Sequence, residues 1–316
     1  LTQELEFNRE EKKMAKDKKM KNDKSQQVST PPSGIRIIFR EILRDKAALT
    51  AFCIVIAILL VCFVGSLFLN KAQVTEINIA ESYYAWGENG HLLGTDEGGR
   101  DILQLLIMGG RNSIMIGISV TLISMVVGLI VGIFAGYYGG VIDAIIMRIV
   151  DFIQIMPSFP ILIVLATVTP NYNAYTLVGM ISLFGWTASA RYYRSFVLAQ
   201  REREYVMASK TSGSSDLQIM FREVLPNISS MIIIDLVLGI AGNIGVETGL
   251  SFIGYGLPIT TPSLGTLIGY ATDPVNVTTR PWLWLPAALL LLVISLSINY
   301  VGRALQKAGD ARQREN

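Results

Sequence analysis

The chain has 316 residues, 51% of them hydrophobic and only 16% charged, with a formal net charge of +2 and a mean hydropathy of +0.45. A soluble domain carries about 25% charged residues; here the deficit is concentrated in long apolar blocks, which excludes an ordinary soluble fold. The small net charge gives nucleic-acid binding no electrostatic support, so no nucleic acid is expected as a partner.

Residues 1–34 form a charged segment, and between Leu1 and Lys46 lie twelve Lys/Arg and eight Asp/Glu. This run lacks the apolar core of a cleavable signal peptide and reads as a disordered or loosely helical cytosolic tail. The next unit, 35–69, opens with Ile35–Asp45. Its apolar residues Ile35, Ile38, Phe39, Ile42 and Leu43 make one helical stripe, with Arg36, Arg40, Glu41 and Arg44 opposite. A basic amphipathic helix beside a span lies flat in the membrane interface; an extension of the first span into the cytosol is the other reading.

A membrane crossing takes about 20 mostly apolar residues. Six stretches qualify: Ala47–Leu69, Ser113–Ala135, Ile149–Val168, Ala174–Ala190, Met231–Ile253 and Trp282–Val301. Cys53 and Cys62, nine positions apart in the first, read as buried membrane thiols. The fold class is therefore all-α with six transmembrane helices. The segment 70–111 is acidic and mostly irregular, with a helical stretch expected from Glu97 to Met108. His91, the only histidine, reads as a loop residue there, and no metal site is expected. Basic residues crowd the N-terminus, Arg191–Arg222 and Arg303–Arg314, whereas the loop before Trp282 holds only Arg280. The positive-inside rule then places both termini and the 191–227 loop in the cytosol of a cell-membrane protein. Residues 112–302 form the core and 303–316 a cytosolic tail.

That loop is the most informative stretch. Helical patterns flank Gly213, which takes a left-handed backbone without penalty, and Pro226 ends the second helix or opens the next span. About thirty-five residues exceed what a connector needs, so a helix–turn–helix projecting from the membrane is expected. Met207-Ala208-Ser209, Gly213 and Leu225-Pro226 resemble the cytosolic signature of ABC-importer permeases, E-A-A, three residues, Gly, nine residues, I-x-L-P. Met207, Ser209 and Glu223 depart from it at the positions of Glu, Ala and Ile. His91–Ser113, the run Gly136-Tyr137-Tyr138-Gly139-Gly140 with Asp143 and Arg148, and Glu247 with Leu250–Gly256 are similar to the second permease of dipeptide and oligopeptide importers.

The resemblance implies a type I importer permease fold whose cytosolic loop couples to ATPases through Arg201, Glu204, Tyr205, Met207, Ala208, Ser209, Gly213, Leu225 and Pro226. It implies a second homologous permease, two ABC ATPase subunits, an extracytoplasmic peptide-binding protein and a peptide substrate, all working in a lipid bilayer. A nickel-importing branch shares much of the pattern. The chain has no G-x-x-x-x-G-K-[S/T] loop. No cofactor is expected on it, and ATP and Mg belong to the partner ATPases; the chain reads as a non-catalytic subunit.

Gly128, Gly132 and Gly136 form a small-residue row for close helix packing, within the chain or against a partner. Asp151, Asp235 and Glu247 are acids inside spans, which must face protein or water. Pairing, for Asp151 with Arg148, is one reading; lining the translocation path together with Phe252, or proton coupling, are others. The Gly- and Pro-rich segment Gly254–Pro281 reads as a re-entrant loop or an outer connector, with Trp282 and Trp284 as interfacial anchors. A stand-alone secondary transporter or a non-transporting scaffold are the competing functions; the inverted repeats that favour the former are not apparent.

Overall fold

The computed structural model describes residues 45–315 apart from 171 and 259, with side chains as far as Lys307. The expected tail 1–34 and the amphipathic stripe Ile35–Leu43 lie outside the described residues. The first helix, α1, spans Lys46–Leu67. The Asp45 carboxylate accepts the backbone N–H groups of Ala47 at 3.0 Å and Ala48 at 3.3 Å, satisfying donors that a helix start leaves orphaned. Leu60, Val61 and Leu67 are exposed, as suits a helix with hydrocarbon for solvent. Cys62 is buried, but Cys53 lies on the exposed face, so only one of the two thiols is packed inside the chain.

The second helix, α2, runs Ile102–Tyr138, 37 residues, or about 55 Å at 1.5 Å per residue. A hydrocarbon core of about 30 Å leaves it projecting. It starts later than Glu97 for a local reason. Asp96 accepts the N–H groups of Gly98 and Arg100, each at 2.9 Å, and Gly99 sits at φ +74, so the chain turns there. Helix formation waits for Asp101, which accepts the Gln104 N–H at 3.0 Å.

The stretch expected as one span over Ile149–Val168 is instead two helices, α3 (Gly140–Ile155) and α4 (Ser158–Val168), bent by 75°. Pro157 is the cause: it has no N–H to donate and holds Met156 extended, at φ −66 and ψ 133. Helix α5, Ala174–Arg201, continues well past the expected end at Ala190. It packs along α2, and the glycine row is why. A Cβ on Gly128 would lie 2.6 Å from Ser189 Cβ, one on Gly132 2.6 Å from the Ala190 carbonyl oxygen, and one on Gly136 2.8 Å from Val197 Cβ. The row is thus occupied by the chain's own α5.

After the 191–227 loop, which holds α6 (Glu204–Thr211) and α7 (Asp216–Ile219), come α8 (Ser229–Phe252), the short α9 (Leu264–Ile268) and, last, α10 (Leu285–Glu315). The helices α1, α2, α8 and α10 are long and apolar enough to cross a membrane, and the count rises to five if the bent α3–α4 pair is taken as one broken span. Helix α5 has the length, 28 residues, but carries Arg191, Arg194 and Arg201. Among the described residues the only β pairing is an isolated bridge between Thr95 and Asp101.

The segment between α8 and α10 is more ordered than its composition suggests. Helix α9, Leu264–Ile268, has a capping box in which Ser263 and Thr266 exchange hydrogen bonds. Its Leu264 and Leu267 are buried, and it packs on α2, α8 and α10. Further short turns follow at Gly269–Thr272, Pro274–Thr279 and Pro281–Leu283. The 70–101 segment folds onto it. Tyr270 Oη donates to Asp96 Oδ2 at 2.9 Å, Arg100 pairs with the same carboxylate at 2.7 Å, and Arg280 stacks 3.6 Å above the Tyr83 ring. Trp282 is spent here too. Its indole N–H donates to the Thr95 carbonyl at 3.1 Å, so it fastens two segments of the chain. His91 likewise does more than fill a loop: its Nδ1 lies 2.6 Å from Asp101 Oδ2, at the start of α2.

Candidate functional site

The 191–227 region is built from α5 outward. Helix α5 ends at Arg201, and α6 spans Glu204–Thr211. The chain then reverses through Gly213 at φ +84, a left-handed value that costs a residue with a Cβ. Ser215 caps α7, Asp216–Ile219, which runs into a wider-wound π turn at Met220–Val224 and a last short turn, Leu225–Asn227, that contains Pro226. The expected helix–turn–helix is present.

Two faces of this loop differ. Val206, Ile219, Met220 and Val224 are fully buried and share one apolar cluster with Ile133 and Tyr137 of α2 and Val197 of α5. On the other face Met207, Leu217 and Phe221 are exposed, at 53%, 54% and 46%. Glu204, Ala208, Gly213 and Pro226 are exposed beside them, whereas Ser209 and Leu225 are half-buried. Tyr205 is half-buried as well and donates to Gln200 Oε1 at 2.9 Å; burial, partly offset by the Asn227 amide, pushes its phenol above the usual range. Arg201 stands apart from the exposed face. Its guanidinium reaches the Gly136 carbonyl at 3.4 Å, so it ties α5 to the end of α2.

The acids inside the spans are each held. Asp151 pairs with Arg191 of α5, not with Arg148 one turn away in its own helix. Asp143, near the start of α3, forms a two-pronged pair with Arg194. Asp235 accepts from Ser189 Oγ at 3.1 Å and Tyr193 Oη at 2.5 Å, both on α5. Glu247 is fully buried. It accepts from Ser251 Oγ at 2.7 Å and Thr248 Oγ1 at 3.4 Å, both in α8. It is held within α8 and lines no open surface in this conformation. Phe252, at the end of α8, is 37% exposed.

Outside the spans, the Asp96–Arg100–Tyr270 cluster is the strongest electrostatic feature. Burial and the adjacent Asp96 carboxylate hold the Tyr270 phenol far above its ordinary range, and Asp96 keeps the Arg100 guanidinium charged against the cost of burial. Nothing local in the sequence points to Tyr270 here, because it lies 170 positions from Arg100. Tyr137, legible in the sequence only as part of a turn motif, donates its hydroxyl to Asp216 Oδ1 at 2.7 Å.

Residues 128–314 match the family model of the binding-protein-dependent transport system inner membrane component. The chain belongs to that family. This inner membrane component is 45% identical over 279 residues to the oligopeptide transport system permease protein OppC of Lactococcus lactis subsp. lactis, covering 88% of this chain and 95% of the relative. It is 34% identical to the OppC protein of Mycobacterium tuberculosis (88% and 94% covered) and 32% identical to the oligopeptide permease protein AmiD of Streptococcus pneumoniae (87% and 89%). Among solved structures it resembles the inward-facing MetNI methionine ABC transporter, with a TM-score of 0.55 at 17% identity, covering 66% of this chain and 97% of that one. At that identity the likeness speaks to the fold alone, which is the type I importer permease fold.

Proposed function

We propose that the chain is one permease subunit of an ATP-driven importer of short peptides, set in the cell membrane with both termini in the cytosol. It would form half of the translocation path with a second homologous permease. Two ATPase subunits, which bind ATP and Mg, would dock on the 191–227 loop, and an extracytoplasmic peptide-binding protein would deliver cargo to the opposite side. The chain itself hydrolyses nothing in this scheme.

The observation that carries the reading is the two-faced loop. A connector has no reason to keep Met207, Leu217 and Phe221 in water on a framework rooted by four fully buried side chains. An apolar patch on a rigid base is what a docking partner requires. The peptide cargo is favoured by relatives of matching length that are oligopeptide permease proteins. ATP-driven closure of the ATPases would shift a two-state equilibrium of the spans through this loop.

The test is uptake of labelled peptide by vesicles holding the full complex, with nickel ions as the competing cargo. Gly213→Val forces a Cβ into a left-handed backbone while meeting no neighbour, so the chain should still insert and assemble, and uptake should fall severalfold. Undiminished uptake by that variant would count against the loop's role, and accumulation by the chain without partners would overturn the proposal.

A further inference from the structure

The exposed face of the loop meets its partner; a second question is how motion leaves the loop. The last residues of α2 supply a contact on both sides of the turn. Tyr137 is 4% exposed, within the apolar cluster that roots the loop. Its hydroxyl donates to Asp216 Oδ1 at 2.7 Å, in the first turn of α7. Its ring face carries Lys210 Nζ at 4.7 Å from the centroid, in the last turn of α6. Lys210 and Asp216 each lie three residues from Gly213. One side chain of α2 thus clasps both arms of the helix–turn–helix.

We propose that Tyr137 is a positioning residue that makes the loop and α2 move as one body, so that a displacement of the docked turn passes directly into α2. This rests on the importer reading above. Three features make α2 suited to the task. It is continuous from Ile102 to Tyr138. Its glycine row is in backbone contact with α5. Its far end is capped by Asp101, which holds His91 of the 70–101 segment. A push at Tyr137 therefore reaches the opposite face of the membrane through one rigid helix. Without the clasp, the turn would be joined to the spans by apolar packing, which resists separation but permits sliding, whereas a directional hydrogen bond to a carboxylate fixes position.

The experiment measures peptide imported per ATP hydrolysed by the complete complex in vesicles, for Tyr137→Phe, Asp216→Asn and the double variant. Tyr137→Phe keeps the ring, its packing and the Lys210 contact, and loses only the hydroxyl. The ratio should fall about tenfold, the factor carried by one hydrogen bond to a charged group, while the subunits still co-purify. Asp216→Asn keeps an acceptor but drops the charge, and should give a smaller loss. The double variant should be no worse than Tyr137→Phe, because the two act through one bond. A purely structural tyrosine would lower the yield of complex and leave peptide per ATP at the wild-type value, which would overturn the proposal, as would losses that simply multiply. Asp216 is exposed, so its variant decides the matter should Tyr137→Phe fail to assemble. If the wild-type complex shows no ATP-dependent peptide uptake, the importer reading fails; if it does and both variants match it, only the role of Tyr137 fails.

Discussion

Replacing Gly132 by Ala tests the packing that holds the bundle together. The added Cβ would lie 2.6 Å from the Ala190 carbonyl oxygen, 2.9 Å from Tyr193 Cβ and 3.0 Å from the Arg194 nitrogen. Ordinary contact begins near 3.4 Å, so α5 must retreat by about 0.8 Å (3.4 − 2.6). Two of the three neighbours are backbone atoms, which no rotamer change can move. The retreat would also stretch the Tyr193–Asp235 hydrogen bond. Overpacking of this kind costs about 1–3 kcal/mol, against roughly 1 kcal/mol gained by Ala over Gly in a helix, leaving a net loss of about 0–2 kcal/mol by those two principles. Gly179, in α5 itself, has nothing within 4 Å of its Cβ position, so Gly179→Ala should be neutral or stabilising. Steric-trap unfolding of each variant in lipid bicelles reads the difference. A Gly132→Ala protein as stable as Gly179→Ala would refute the claim that the row is in backbone contact with α5.

Glu247→Gln should fold and import nearly as well as wild type, since an amide oxygen still accepts from Ser251, whereas Glu247→Ala strands buried hydroxyls and should cost about 1–3 kcal/mol; abolition of uptake by the Gln variant would mean that an ionisable group is needed there. Tyr270 gives the 70–101 segment an alkaline limit. Its folded pKa lies above the ordinary value of about 10, so the stabilisation it adds is complete below that pH and drains away as pH climbs toward the folded value. Fluorescence of Trp282, whose indole is bonded to Thr95, should report loosening above pH 10, and Tyr270→Phe should remove that pH dependence; identical alkaline slopes for the two proteins would contradict it.

The spans were legible where about twenty residues pass without charge, because hydrocarbon permits little else for such a segment. The bend at Met156–Pro157 was not, since a hydropathy window sums composition and is blind to a missing N–H. The Gly128–Gly132–Gly136 period showed a flat face but not which helix occupies it. The 191–227 loop was readable in shape because Gly213 and Pro226 are local punctuation, and their effects act within a few residues. Partners of the acids were not, because helix spacing offers only neighbours: Asp151 has Arg148 one turn away in α3, yet pairs with Arg191, forty positions on. The same limit hid Tyr270, whose contacts with Asp96 and Arg100 follow from the fold and leave no period in the sequence.

These long-range pairs share a feature that explains the one helix whose composition fell short of a span. In a bilayer, apolar side chains gain little by leaving lipid for protein, so helices are held by close backbone approach and by polar contacts. Helix α5 receives both kinds. Its backbone accepts the glycine row of α2, its Arg191 and Arg194 take Asp151 and Asp143 of α3, and its Ser189 and Tyr193 take Asp235 of α8. The polar residues that lower its hydropathy are the ones that bind α3 and α8 to it. Removing those charges to make α5 a better membrane span by composition would therefore make it a worse one in fact: Arg194→Leu would leave Asp143 without its cation, and α3 would lose its anchor to α5 at the end nearest the 191–227 loop.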